Sequence, residues 1–167
     1  MQKIALVVLL FSLSVFAQDL RVSVDWAVFD GDAENTYLEI YYSFGQADLN
    51  YEQRDENFVA TTLGQLSITK GDEVIENFAW KSETIVADTS ELSQQKEVID
   101  RMAFVIPIGE FQCHMTLTDL VDKTNADSTE WMLTTEAPLE TPHLSEIQLA
   151  SSIRRAGDDK DSPFYKN

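Results

Sequence analysis

Apolar residues in this chain recur at every second position, in short runs that turn residues separate. Successive side chains of a β-strand point to opposite faces, so this period predicts strands with one buried face and one solvated face. The acidic stretch of residues 30–35 predicts a hairpin loop between the first two runs. The first two apolar series are Val22, Val24, Trp26, Val28 and then Leu38, Ile40, Tyr42, Phe44.

The alternation continues through the middle of the chain, where residues 98–106 and 111–117 give two further amphipathic strands. The second is the clearest, because Cys113 falls in its apolar series and His114 in its polar series. Residues 58–69 predict another strand, in which Gly64 indicates a bulge or bend. Residues 119–129 predict a polar loop, and residues 131–133 a short closing strand.

Seven or eight such strands, joined by short polar turns and with no long helical pattern, predict an all-β fold with antiparallel pairing. The spacing is typical of an immunoglobulin-like or fibronectin-like sandwich, while a closed barrel would fit the same number of strands. The predicted organisation is a leader at residues 1–17, one sandwich domain at 18–136, and an extended connector or tail at 137–167 with Pro138, Pro142 and Pro163.

The first 17 residues have the pattern of a secretory signal peptide. Lys3 gives a positive start, residues 4–11 are continuously apolar, and Val15 and Ala17 are small residues at the positions that a signal peptidase recognises. The apolar stretch is shorter than the roughly 20 residues that span a bilayer. We therefore expect export to the periplasm, the cell surface or the medium, with no stable membrane insertion after cleavage.

The chain of 167 residues carries 29 acidic and 12 basic side chains, a formal net charge of −17. Nucleic-acid binding requires clustered Lys and Arg, so we expect no nucleic-acid partner. A single cysteine, Cys113, permits no intrachain disulfide, and a domain of this length is expected to be held by its apolar core.

Two segments near the end, residues 144–150 (Leu-Ser-Glu-Ile-Gln-Leu-Ala) and 164–167 (Phe-Tyr-Lys-Asn), resemble the GWxTD family of bacterial exported proteins. Residues 108–119 also look like the last main strand of that family's first domain. The Gly-Trp pair that names the family is absent here. The resemblance implies the N-terminal β-sandwich portion of a larger cell-envelope protein, and it assigns no catalytic residue to this chain.

No motif for catalysis or cofactor binding emerges, so we expect neither an enzyme nor a cofactor. Cys113 and His114 are adjacent, and adjacent strand residues face opposite ways, which opposes a catalytic dyad. Oxygen ligands alternate at Asp30, Asp32 and Glu34, which gives a weak candidate calcium site, although the loop lacks the EF-hand pattern.

Non-catalytic binding is therefore the leading functional expectation: an interaction or scaffold domain whose partner is another protein or another domain of the same full-length protein. The alternative is a carbohydrate-binding module. Tyr37 and Tyr41 fall on the polar face of one predicted strand, where two rings could contact a ligand together.

Overall fold

A computed structural model of the chain describes residues 19–94 and 96–137. The predicted signal peptide, and the two segments that resemble the GWxTD family, lie outside these residues. Two short 3-10 helices, Gln46–Asp48 and Thr89–Gln94, interrupt eight strands. The strands are β1 (Val22–Asp30), β2 (Asn35–Gly45), β3 (Glu52–Arg54), β4 (Asn57–Lys70), β5 (Glu73–Val86), β6 (Glu97–Pro107), β7 (Gly109–Asp119) and β8 (Ala126–Thr135).

The strands form two antiparallel sheets, which confirms the predicted sandwich. One sheet has the order β1-β2-β6. The other has β4 at its centre, with β5 on one side, β7 and the short β3 on the other, and β8 beyond β7. If β1, β2, β4, β5, β6, β7 and β8 are read as strands A, B, C, C′, E, F and G, the pairings B–E, C–F and F–G are those of immunoglobulin-type domains.

The two sheets bury their apolar faces against each other, in the alternation that the sequence predicts. From β2, Leu38 and Ile40 are fully buried, and from β7, Phe111 and Met115 are buried too. Cys113 lies among them with no exposed surface, whereas its neighbour His114 is on the opposite, solvated face. The strand phase predicted for β7 is therefore confirmed.

Three of the local predictions are wrong. The bulge in β4 lies between Ile68 and Thr69, whereas Gly64 sits in regular pairing with Trp80. Residues 119–129 do not form one loop, because β7 continues to Asp119 and β8 begins at Ala126. For the same reason the closing strand is ten residues long, rather than the three predicted at 131–133.

The end of β7 was predicted wrongly because its last residue, Asp119, is polar and yet buried. Asp119 has no exposed surface, and its oxygens accept hydrogen bonds from the backbone nitrogen of Asn50 (2.6 Å) and the backbone nitrogen of Val121 (2.8 Å). The Asn125 side chain in turn accepts from the Leu20 nitrogen and donates to the Asp48 carbonyl. A polar residue can be buried when every hydrogen bond is satisfied, and this network ties three loops together at one end of the sandwich.

Candidate functional site

The two lateral sides of the sandwich, where the edges of the sheets meet, differ in how they are closed. On the first, which we call the closed side, β1 faces β8, and the indole rings of Trp26 and Trp131 stack with centroids 5.5 Å apart. The backbone nitrogen of Val22 donates to the Asp127 carboxylate at 2.9 Å. These contacts join the two sheets directly.

On the other side, which we call the open side, β5 faces β6. Among the described residues, β5 pairs only with β4, and β6 pairs only with β2. Seven large apolar side chains in the described part of the chain are exposed, and five of them belong to these two strands. The five are Val74, Phe78 and Ile85 on β5, and Ile99 and Val105 on β6. Phe78 faces the gap between the sheets. Val74 and Ile85 lie on the outer face of the larger sheet, and Ile99 and Val105 on the outer face of the smaller sheet, so exposed apolar side chains border the open side on both strands.

An aromatic cluster fills the space between the two sheets at the open side. The ring of Trp80 packs on that of Tyr42 (5.4 Å) and stacks on Phe78 (5.6 Å), and Phe78 meets the edge of Phe104 at 5.9 Å. Trp80 Nε1 donates to Tyr42 Oη (2.7 Å), which donates to the Asp100 carboxylate (3.1 Å). Burial, together with the negative charge of Asp100, raises the pKa of Tyr42 to about 12.

Gly64 makes room for this cluster. It is the cross-strand partner of Trp80, and a Cβ atom at position 64 would overlap the indole ring. In the middle of a strand glycine is unfavourable, so its presence here follows from the close approach of the ring. The sequence alone shows that a glycine interrupts this strand, but it does not indicate that the Trp80 ring is the group that requires it.

Two carboxylates flank the aromatic residues along the inner face of the open side. Glu76 lies two positions before Phe78 on β5, and its cross-strand partner is the buried Ile68. Asp100, opposite Tyr42 on β6, lies toward the other end. Phe78 is 41% exposed although it faces the interior, because no strand lies beyond β5 among the described residues. The open side is thus an aromatic surface with acidic residues at its margins.

The predicted carbohydrate platform lies on the outer face of the three-stranded sheet. Tyr37 and Tyr41 are on the same face, as expected, and both are half-buried. The face is not uniformly solvated, however. Glu39 between them is only 3% exposed, and it accepts hydrogen bonds from Arg101 and from the Tyr41 hydroxyl. The polar face predicted for this strand is therefore buried at Glu39, between the two tyrosines.

Glu39 can be buried because it forms an ion pair with Arg101. Glu39 has Ala27 and Ala103 as its neighbours on the adjacent strands, so small side chains surround it within the sheet. Arg101 also donates to the Tyr37 side chain. Although burial disfavours its charge, the Glu39 carboxylate raises the pKa of Arg101. No local sequence pattern indicates this pair, since the two residues are distant in the chain.

The acidic hairpin contains the candidate calcium ligands Asp30, Asp32 and Glu34. Asp32 accepts hydrogen bonds from the backbone nitrogens of Glu34 (2.9 Å) and Asn35 (2.8 Å), which with the Asn35 side chain lower its pKa. Its carboxylate therefore shapes the turn. Over residues 19–94 and 96–137, no group of three or more acidic, His or Cys side chains is placed to hold a metal ion.

The remaining candidates for chemistry are separated in space. Burial raises the pKa of the Cys113 thiol to about 12, so it is an inert thiol in the folded protein. His114 projects to the outer face, where its Nε2 lies 3.9 Å from the Glu130 carboxylate of β8. A polar depression of about 450 Å³ at one end of the three-stranded sheet is lined by Arg21, Asp48 and Lys96, among others.

The fold defines the protein as a β-sandwich with the strand pairing of immunoglobulin-type domains. None of the helices in the described part of the chain has the length and apolar character that a membrane crossing requires. No protein-family model matches the sequence, and no curated protein matches it either. Among solved structures, it is similar to an X-ray structure described as Northeast Structural Genomics Consortium target SoR45. That similarity has 10% sequence identity and a TM-score of 0.43, over 78% of this chain and 97% of the other.

Proposed function

We propose that this chain is an exported, non-catalytic β-sandwich that acts as an interaction or scaffold domain, within the N-terminal part of a larger cell-envelope protein. The observation that carries the binding role is that five of the seven exposed large apolar side chains in the described part of the chain belong to β5 and β6, the two strands whose free edges have no described partner. An unpaired strand edge with exposed apolar side chains is a ready site for association. The export and envelope parts of the proposal rest on the signal-like leader and on the resemblance to the GWxTD family.

Export is tested by mass spectrometry of the protein recovered from fractionated cells. The expected result is a chain that begins at Gln18 in the envelope or extracellular fraction. Recovery of a chain that retains residues 1–17 in the cytoplasm would contradict export.

Membership of a larger protein is tested by reading the DNA beyond Asn167. A continuation into further β-rich sequence that ends in Gly-Trp-x-Thr-Asp is expected, and a stop codon there contradicts it.

The binding role is tested by site-specific photocrosslinking in intact cells. A photoreactive residue at position 78 lies on the open side, and one at position 134 lies on the outer face of the larger sheet. We expect a discrete crosslinked product from position 78 and none from position 134. Equal products from both positions, or none from either, would contradict an interaction surface on the open side.

Carbohydrate binding is the second candidate, and the arrangement around Tyr37 and Tyr41 favours it. The two half-buried rings flank Glu39 and Arg101, and aromatic rings beside charged hydrogen-bonding groups are common in sugar sites. A glycan array tests this candidate. A signal that Tyr37→Ala and Tyr41→Ala each abolish would support it, and an array with no signal would eliminate it.

A further inference from the structure

We propose that the open edge of β5 binds an extended, basic segment of a partner protein by strand addition. This inference rests on the interaction role proposed above and names the partner's chemistry. β5 is 14 residues long and pairs on one edge only with β4 among the described residues. Such an edge leaves a row of N–H and C=O groups that an extended peptide can satisfy, while its side chains supply specificity.

The side chains of β5 favour it over β6 as the acceptor. β5 carries Val74, Phe78 and Ile85, whose exposed fractions are 59%, 41% and 58%. On β6, Asp100 points into the sandwich, and Pro107 at the strand's end has no N–H to donate. Inward-pointing charges and prolines are devices by which proteins prevent pairing at an edge. Both strands have an inward charge, Glu76 on β5 and Asp100 on β6, so β6 differs in its terminal proline and in its shorter length, 11 residues against 14.

Charge indicates a basic partner. β5 carries three acidic residues, Glu73, Glu76 and Glu83, and a single basic residue, Lys81. Glu83 is already paired with Arg54 at 2.7 Å. Asp100 adds a further negative charge across the open side. The net charge of −17 on the whole chain opposes a second copy and attracts a cationic segment.

The register of β5 specifies what that segment looks like. Glu76, Phe78 and Trp80 share the inner face at every second position. A strand added beside them would place alternate side chains next to this face. The best fit is an apolar side chain beside Phe78 and a Lys or Arg beside Glu76, where the carboxylate and the aromatic face both attract a cation.

The test is a titration of the isotopically labelled full chain with three synthetic peptides, followed by amide chemical shifts. The first peptide alternates lysine with valine and phenylalanine, the second has glutamate for lysine, and the third is the lysine peptide with alternate backbone nitrogens methylated. We expect only the first peptide to bind, with shifts concentrated in Glu73–Val86. Phe78→Thr and Glu76→Lys should each weaken binding by about tenfold, because each removes a central contact.

Met132→Thr is the matched control, since Met132 is an exposed apolar residue on β8 of the same sheet. It should leave the affinity unchanged. Equal binding of the glutamate or methylated peptide, shifts on β6 or β8, insensitivity to both variants, or no binding at all would each overturn the proposal. Concentration-dependent pairing of the chain with itself through β5 would assign the edge to a second copy instead. If crosslinking from position 78 persists in Glu76→Lys cells, the interaction role stands while the proposed recognition of a basic segment fails.

Discussion

The two lateral sides of the sandwich differ in how the edges of the sheets are covered. Every sheet has edges, and an unpaired edge invites association. At the closed side, stacked Trp26 and Trp131 and the bond from Val22 to Asp127 join β1 to β8. At the open side, Trp80 also bridges the sheets by its contact with Tyr42, but Phe78 remains exposed. Aromatic contacts thus join the sheets on both sides, and only the open side leaves one of these rings exposed, where we propose that a partner binds.

The shared core supports both sides, so the largest effect is expected there. Cys113→Asp would bury an unpaired charge among Phe111, Met115 and Leu117, and should cost about 4 kcal/mol of stability or prevent folding. His114→Asp, on the solvated face of the same strand, should cost less than about 1 kcal/mol. Urea unfolding of both variants gives the comparison. Similar unfolding midpoints would mean that the assigned faces of β7 are wrong.

Stability should depend more on the closed side than on the open side. Trp131→Ala removes half of the indole stack and should cost about 3 kcal/mol, whereas Phe78→Thr should cost about 1 kcal/mol because Phe78 is already 41% exposed in the folded protein. Denaturant unfolding measures both values.

Trp131→Phe is the control for the closed side. The Trp131 Nε1 is buried and has no hydrogen-bond partner among the described residues. Phenylalanine keeps a stacking ring and removes that unsatisfied donor, so the change in stability should stay within about 1 kcal/mol. A loss in Trp131→Phe as large as in Trp131→Ala would show that ring stacking does not hold this side together.

Gly64→Ala should perturb the open side selectively. The new methyl group would displace the Trp80 ring and break its bond to Tyr42, at a cost of about 2 kcal/mol. Fluorescence and the indole N–H resonance of Trp80 report the displacement, and those of Trp26 should stay unchanged. An undisturbed Trp80 resonance would contradict this packing, because it would mean that β4 and β5 can accommodate the methyl group without moving the ring.

The smallest effect we predict is a loss of stability at alkaline pH. Burial raises the pKa of the Cys113 thiol from 9.0 to about 12. The unfolded chain therefore releases this proton first, so the contribution is fully present below pH 9 and is lost as the pH rises toward 12. Between pH 9 and pH 10 the decline should be about 1 kcal/mol. Cys113→Val should show a shallower decline in urea midpoints than the unaltered chain, and identical declines would contradict the assignment.

Much of the fold was predictable because strand alternation is a local property. The period of two assigned the buried faces of β2, β6 and β7, and separated Cys113 from His114. The candidate site was harder to predict from the sequence. Tyr37 and Tyr41 were placed on one face correctly, but Phe78 was not singled out, since an aromatic residue on an edge strand has the same sequence pattern as one in a central strand.

The sequence by itself determined that this chain is acidic, that its strands are amphipathic, and that antiparallel pairing should follow, because composition and side-chain period require no knowledge of distant residues. Only the tertiary structure decided which strands are edges, since that depends on which non-adjacent strands pair. It also decided that Glu39 is buried against Arg101, that Asp119 and Asn125 together join the segments at Leu20 and Asn50, and that Gly64 accommodates Trp80. Each of these depends on residues that are far apart in the chain and meet only when the two sheets form.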